Sequence, residues 1–267
     1  MEILEYIKNN ELENAISACK QILRDKPGDV ETRGMLAQLL CFSGNWSNAD
    51  TQLSTVMQQD PEMAIGVGLL RQLIRAESSR QQFFFEGGTP ELIGDPSPAL
   101  EALLKALIAS RNGEEEEVIK QTSKINETCP LVAGTVNNEP FEIGRDLDDL
   151  LQGFAEVLTS NGKFFLIPWA SIHKISFRPP ERLQDQIWRS ASIEAADNIN
   201  GEVYLPTRYC TSPEVSNSLS EPLLMGAETN WTTSVEGGPT LGQGLKMFAF
   251  GDQAYSIMEL NDLSFSN

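Results

Sequence analysis

The sequence predicts a chain of two textures: an all-helical repeat domain over 1–133, followed by a mostly antiparallel α+β domain over 134–267. Three observations lead there. A set of small and apolar positions recurs after 34 residues near the front of the chain. The apolar periodicity changes from about 3.6 to 2 after Pro130. The length of 267 residues and the 40% hydrophobic content suit one or two domains with buried cores.

The repeat is read from three stretches. Leu12, Ala15, Cys19, Ile22 and Pro27 are separated by 3, 4, 3 and 5 residues, and Trp46, Ala49, Leu53, Val56 and Pro61 repeat those steps. Glu115, Val118, Thr122, Ile125 and Pro130 form a weaker third copy, with polar residues at two positions that are usually apolar. Steps of 3 and 4 align side chains on one helix face. The alanine admits a neighbouring helix, and the proline ends the helix. This is the spacing of the second helix of a tetratricopeptide unit. Gly44, Gly113 and Asn10 supply the turn before it. First helices are expected at 30–42 and 97–110. A further long helix begins at residue 62 and breaks in FEGGTPELIGDPSP, where Gly, Pro and Asp accumulate. The Glu114–Glu117 run is expected at a helix start, where the macrodipole favours carboxylates.

The back half reads as short alternating segments. Lys163–Ile167, Ile172–Phe177, Glu202–Leu205, Trp231–Val235, Leu245–Phe250 and Tyr255–Leu260 are expected as strands. Asp146–Leu158 reads as a short helix with Leu147, Leu150, Leu151, Phe154 and Leu158 along one side. Strand order is not legible at this level.

Charge excludes several functions. The chain has 38 acidic and 20 basic residues, a net charge of −18, distributed as −8 over 1–133 and −10 over 134–267. Such a surface repels nucleic acid and anionic lipid. No apolar run approaches the ~18 residues of a membrane span. The N-terminus lacks the pattern of a secretory leader, and the four dispersed cysteines read as reduced thiols, so a cytoplasmic setting is expected.

Residues that could carry chemistry are few. Ser171 and His173 lie two apart on an alternating segment without a nucleophile elbow, and are read as exposed strand residues without a catalytic role. GGPTLGQGLK over 237–246 has Gln243 where a phosphate-binding loop needs lysine, and is read as a turn. Asp146, Asp148 and Asp149 lack the spacing of a calcium loop and are read as a solvated helix start. One histidine leaves too few soft ligands for an ordinary zinc site. No catalytic residue, metal or cofactor is therefore expected. A hydrolase or ligand-binding enzyme with its site in the back domain is the alternative, and a helical scaffold holding basic clients is a third reading.

In order along the chain stand TPELIGDPSPALEALLKAL, NNEPFEI, NGKFFLIPWASIHKI, PPERLQDQIW and VYLPTRY. With the helical repeat before them, these resemble the ImpE/SciE family of accessory proteins of bacterial type VI secretion. The resemblance runs from about residue 5 to about 260. Its most specific pieces are Glu139-Pro140-Phe141, Asn161-Gly162 followed by aromatics, Pro168-Trp169, Leu183 to Trp188, and Pro206-Thr207-Arg208-Tyr209. Trp169 stands where phenylalanine is commoner, and Cys210 where proline is common. The resemblance implies a non-enzymatic cytoplasmic adaptor whose partners are the small subunit of the contractile sheath and a ClpV-type AAA+ ATPase. It transfers no residue-level binding motif. Repeat position alone puts Gln38, Cys41 and Phe42 in a concave groove, with Arg71 and Arg75 bordering it. Trp169 and Arg208 are the alternative partner surface, on the back domain.

Overall fold

The computed structural model describes residues 2–196, 199–233 and 236–266. The helical part runs α1 (Glu2–Lys8), α2 (Leu12–Asp25), α3 (Val30–Phe42), α4 (Trp46–Gln59), α5 (Ala64–Gln81), α6 (Pro98–Asn112) and α7 (Glu115–Thr128). The first helices expected at 30–42 and 97–110 are α3 and α6, and the repeat motif lies on α2, α4 and α7. Local chemistry sets the ends. Asp29 caps α3 by accepting the Thr32 N–H, and Ser97 caps α6 just before Pro98 at the first helical position. Asn10, Gly44 and Gly113 precede the three motif helices with φ of 57°, 71° and 72°. All three sit in the left-handed region, which asparagine tolerates and glycine adopts without a Cβ penalty. Ala15, Ala49, Leu53, Val56, Cys19 and Ile125 are buried, as the shared helix face requires.

The strands are β1 (Val132–Val136), β2 (Glu139–Asp146), β3 (Phe154–Leu158), β4 (Phe164–Pro168), β5 (Ile172–Phe177), β6 (Trp188–Ala195), β7 (Ile199–Pro206), β8 (Thr229–Thr233), β9 (Thr240–Gly244), β10 (Met247–Phe250), β11 (Gln253–Ser256) and β12 (Asp262–Ser266). Ten form one sheet in the order β11-β10-β2-β1-β12-β5-β6-β7-β3-β4, and β8 with β9 form a separate ribbon. Every ladder between these strands is antiparallel. Two short helices, α8 (Pro213–Ser216) and α9 (Glu221–Leu224), lie between β7 and β8. Asn137 and Asn138, both at positive φ, make the two-residue turn joining β1 to β2.

The helix expected over Asp146–Leu158 is absent. Asp146 ends β2, a turn follows, and Phe154–Leu158 is β3, buried along its whole length. Phe154 and Leu158 face the helices, while Ala155 and Val157 join the apolar cluster on the other side of the sheet. A strand covered on both faces loses its alternation, and the flanking leucines then mimic a helical stripe. The segment expected as a strand over Tyr255–Leu260 is extended only to Ser256, and Leu245–Phe250 contributes β10 from Met247. Ser234 and Val235, in the expected strand Trp231–Val235, lie outside the described residues. Stretch 237–246, read as a turn, holds β9.

The largest apolar cluster ignores the textural boundary. It extends from Leu12, Phe42 and Leu103 in the helices to Phe154, Phe164, Trp188 and Tyr209 in the sheet part. A second cluster fills the opposite face with Phe141, Trp169, Phe248, Phe250 and Phe265. Among the described residues no helix is long and apolar enough to cross a membrane.

Candidate functional site: the joint between helices and sheet

Where α5 meets β3, charged side chains are buried together. Arg80 on α5 donates from Nε to Glu156 Oε1 at 2.6 Å, from Nη1 to Glu77 Oε1 at 2.7 Å, and from Nη2 to Glu156 Oε2 at 3.1 Å. Its Nη2 also reaches the Arg208 carbonyl at 2.9 Å. Lys246 bridges Asp146 at 2.8 Å and Glu156 at 2.9 Å. The Trp188 indole N–H donates to Glu77 at 3.2 Å, and the Tyr209 hydroxyl lies 2.9 Å from Asp146. Burial alone would raise the Glu156 pKa, but the Arg80 and Lys246 cations outweigh it and hold the carboxyl at about 2. Lys246 is likewise raised despite its burial, because Asp146 and Glu156 surround it. Asp148 differs: burial first, then the neighbouring Asp146 charge, push it up to about 7, although it accepts the N–H groups of Leu150 and Gly242.

This cluster corrects the reading of Asp146, Asp148 and Asp149 as a solvated helix start. Asp146 is 0% exposed, Asp148 is buried, and Asp149 binds Arg145 and the Thr240 N–H. A charge inside an apolar structure is tolerated when paired. Here the Arg80–Glu156 pair and the Trp188–Glu77 bond join the two halves of the chain, while Lys246 pairs with Asp146 and Glu156 within the back half. The sequence holds a trace of this: Glu156 is the lone charge in an otherwise apolar FAEVL strand, and such a residue demands a buried cation.

The expected groove residues separate into two groups. Phe42 is 0% exposed and Cys41 is buried, so neither side chain faces an open groove as repeat position had suggested. The reason is that the back half of the chain occupies that place. Arg208 donates to the carbonyls of Phe42 at 2.8 Å and Cys41 at 3.2 Å, at the C-terminal end of α3, and also to the Leu224 carbonyl. Its guanidinium lies over the Phe42 ring, 5.1 Å from the centroid. Burial lowers the Arg208 pKa to about 10. Helix-end carbonyls are a natural seat for a cation. Trp46 and Trp188 meet across the same joint with ring centroids 6.0 Å apart. Glu221 of α9 accepts the Glu13 N–H in the first turn of α2.

Gln38 is half-buried and donates to the Gly34 carbonyl. Arg71 clamps α5 to α4 through a two-point pair with Asp50 at 2.6 and 3.0 Å. Arg75 is exposed, bonds Gln72, and lies beside the Asn161-Gly162 turn. Gly162 has a φ of 84°, and a Cβ there would come within 2.5 Å of Gln72 Oε1. The close seat of the β3–β4 hairpin on α5 therefore needs glycine. Trp169 is 3% exposed, packed against Phe248, Phe250 and Phe265, so it too is core and not surface. His173 is exposed on β5, and Ser171 lies in the single 3₁₀ turn before it.

The architecture is that of a helical-repeat scaffold welded to a large antiparallel sheet, with the sheet part seated against the helices through the Arg80–Glu156 pair and tilted aromatic contacts. Comparison with known proteins finds relatives of both parts. Residues 138–264 match the ImpE protein family, and residues 6–73 match the tetratricopeptide repeat. The chain is 27% identical over 261 residues to the type VI secretion system accessory component TagJ of Pseudomonas aeruginosa, covering 98% of this chain and 90% of that protein. A crystal structure of a Vibrio parahaemolyticus protein superposes with a TM-score of 0.93 at 25% identity, over 100% of this chain and 98% of that one. The sheet part of the chain is thus similar to the ImpE family, and the chain as a whole to TagJ.

Proposed function

We propose that the chain is a non-enzymatic adaptor of type VI secretion, acting in the cytoplasm and joining the small subunit of the contractile sheath to a ClpV-type AAA+ ATPase. The observation that carries this reading is the similarity to TagJ over 98% of the chain, repeat and sheet parts together. The tetratricopeptide match supports a role in binding proteins, since stacked helix pairs present broad surfaces to partners. The strong negative charge supports protein partners carrying basic segments over nucleic acid or anionic lipid. The buried charges at the joint bond one another, which suits a structural role.

The reading leads to a revised partner surface. Phe42 and Cys41 support the joint from inside, and partner contact falls to exposed or half-buried side chains such as Gln38, Arg71 and Arg75. Purified full-length chain, immobilised and offered the sheath small subunit and the ATPase separately and together, tests the function. Capture of both is expected; capture of neither ends the reading.

A further inference from the structure

The β8–β9 ribbon has one filled edge and one open edge, and the register says which groups face the opening. Trp231 pairs with Gly242, and Thr233 with Thr240. On β9, Thr240 donates its N–H to the Asp149 carboxylate and accepts from the Asp149 N–H, while Gly242 donates to Asp148. Those groups point away from β8. In an antiparallel pair, residues opposite each other turn their backbone groups both inward or both outward. Trp231 and Thr233 therefore turn theirs outward, away from β9. Among the described residues nothing pairs with them there.

The side chains on this edge are also unguarded. Residues 230–233 are all exposed, and Trp231 is 38% exposed although its ring is steadied edge-on by Tyr209 at 5.7 Å. Tyr209 fills the space opposite, where a Cβ on Gly242 would lie 2.2 Å from its ring. Free edges are ordinarily protected by lysine, proline or a bulge; TNWTT has neither lysine nor proline, and its ladder with β9 runs without a bulge. The surroundings carry one sign of charge. Residues 209–245 contain Glu214, Glu221, Glu228 and Glu236 and no Lys or Arg. Exposed Glu228 and Glu236 bracket the strand.

We infer that the outer edge of β8 is a docking strand, which takes an extended Lys- or Arg-bearing segment of a protein partner as a third strand of the ribbon. Backbone groups of Trp231 and Thr233 would supply the pairing, the indole an apolar and cation–π contact, and the glutamates the preference for basic sequence. A second copy of this chain would bring the same glutamates and a charge of −18 against themselves, which disfavours edge-to-edge self-pairing. The inference rests on the reading of the chain as a protein-binding adaptor.

The test uses the full chain and a capped seven-residue peptide alternating Lys and Val, followed by titration calorimetry. The controls are the same peptide with Glu for Lys, and one N-methylated on alternate amides. Binding of the first, with the two controls at least tenfold weaker, is expected. Thr233→Pro deletes an outward donor without touching a β8–β9 bond, so it should weaken the peptide at least tenfold at an unchanged melting temperature. Trp231→Ala should weaken it too. Failure of the Lys–Val peptide to bind, or binding indifferent to N-methylation and to Thr233→Pro, overturns the inference. So does a dimer in sedimentation that Thr233→Pro dissociates, because the occupant is then a second copy. The adaptor reading fails separately, if the native chain captures neither the sheath subunit nor the ATPase; the peptide titration decides the edge in either case.

Discussion

Phe42 shows how far one side chain's role depends on what covers it. Its ring is fully buried, beneath the Arg208 guanidinium and within the cluster shared by helices and sheet. Phe42→Ala is expected to cost about 3–5 kcal/mol of stability, the usual range for emptying a buried aromatic site. Urea unfolding of the full chain checks this, and a loss below about 1 kcal/mol would show that the ring is not core. Asp148 gives a pH signature. Its carboxyl, held up to about 7, keeps a proton in the folded state that the unfolded chain releases near pH 4. More protons bound in the folded state means that stability falls as pH rises from about 4 to about 7. Acidifying from pH 8 to pH 6 should therefore raise the unfolding free energy by roughly 1 kcal/mol. Glu156 does not oppose this, since its low pKa keeps its contribution intact until far more acid conditions. Urea midpoints at pH 8, 7 and 6 measure the trend; a falling midpoint would contradict it.

At the scale of elements, the helices were the legible part. Motif positions separated by 3 and 4 report their own face, and the turn residues Asn10, Gly44 and Gly113 share one backbone conformation. Ala49 is 0% exposed on α4, as a close helix contact demands. Ala49→Leu is expected to overpack this contact and cost about 1–3 kcal/mol, read from thermal or urea unfolding. A change within about 0.5 kcal/mol would place Ala49 at a slack position. Strands were legible where one face meets solvent, as in β5 with its exposed His173. They were not legible where both faces are covered. Phe154–Leu158 shows no alternation because Phe154, Glu156 and Leu158 face the helices while Ala155 and Val157 face a second core.

For the whole molecule, the boundary near residue 133 marks a change of secondary structure more than a line of independence. Cutting there would strip Arg80 of Glu156 and Glu77 of Trp188, and would uncover Phe42 and Trp46. A fragment spanning 1–133 is therefore expected to melt well below the full chain or to lose a cooperative transition, because breaking a buried pair from one side costs several kcal/mol. Thermal circular dichroism of fragment and full chain decides it. An equally stable fragment would return the two parts to independence.

What the sequence by itself determined about this protein is what neighbours along the chain can enforce: the helical repeat, the turn residues between paired helices, the switch to strands after Pro130, and the family motifs. The seat of Arg208 on the end of α3, the pairing of Arg80 with Glu156, and the burial of Phe42, Trp169 and Asp146 belong to tertiary structure alone. Arg80 and Glu156 are 76 residues apart, and Arg208 and Phe42 are 166 apart. A periodicity reports which face of an element is apolar; it carries no information about which distant segment arrives to cover it.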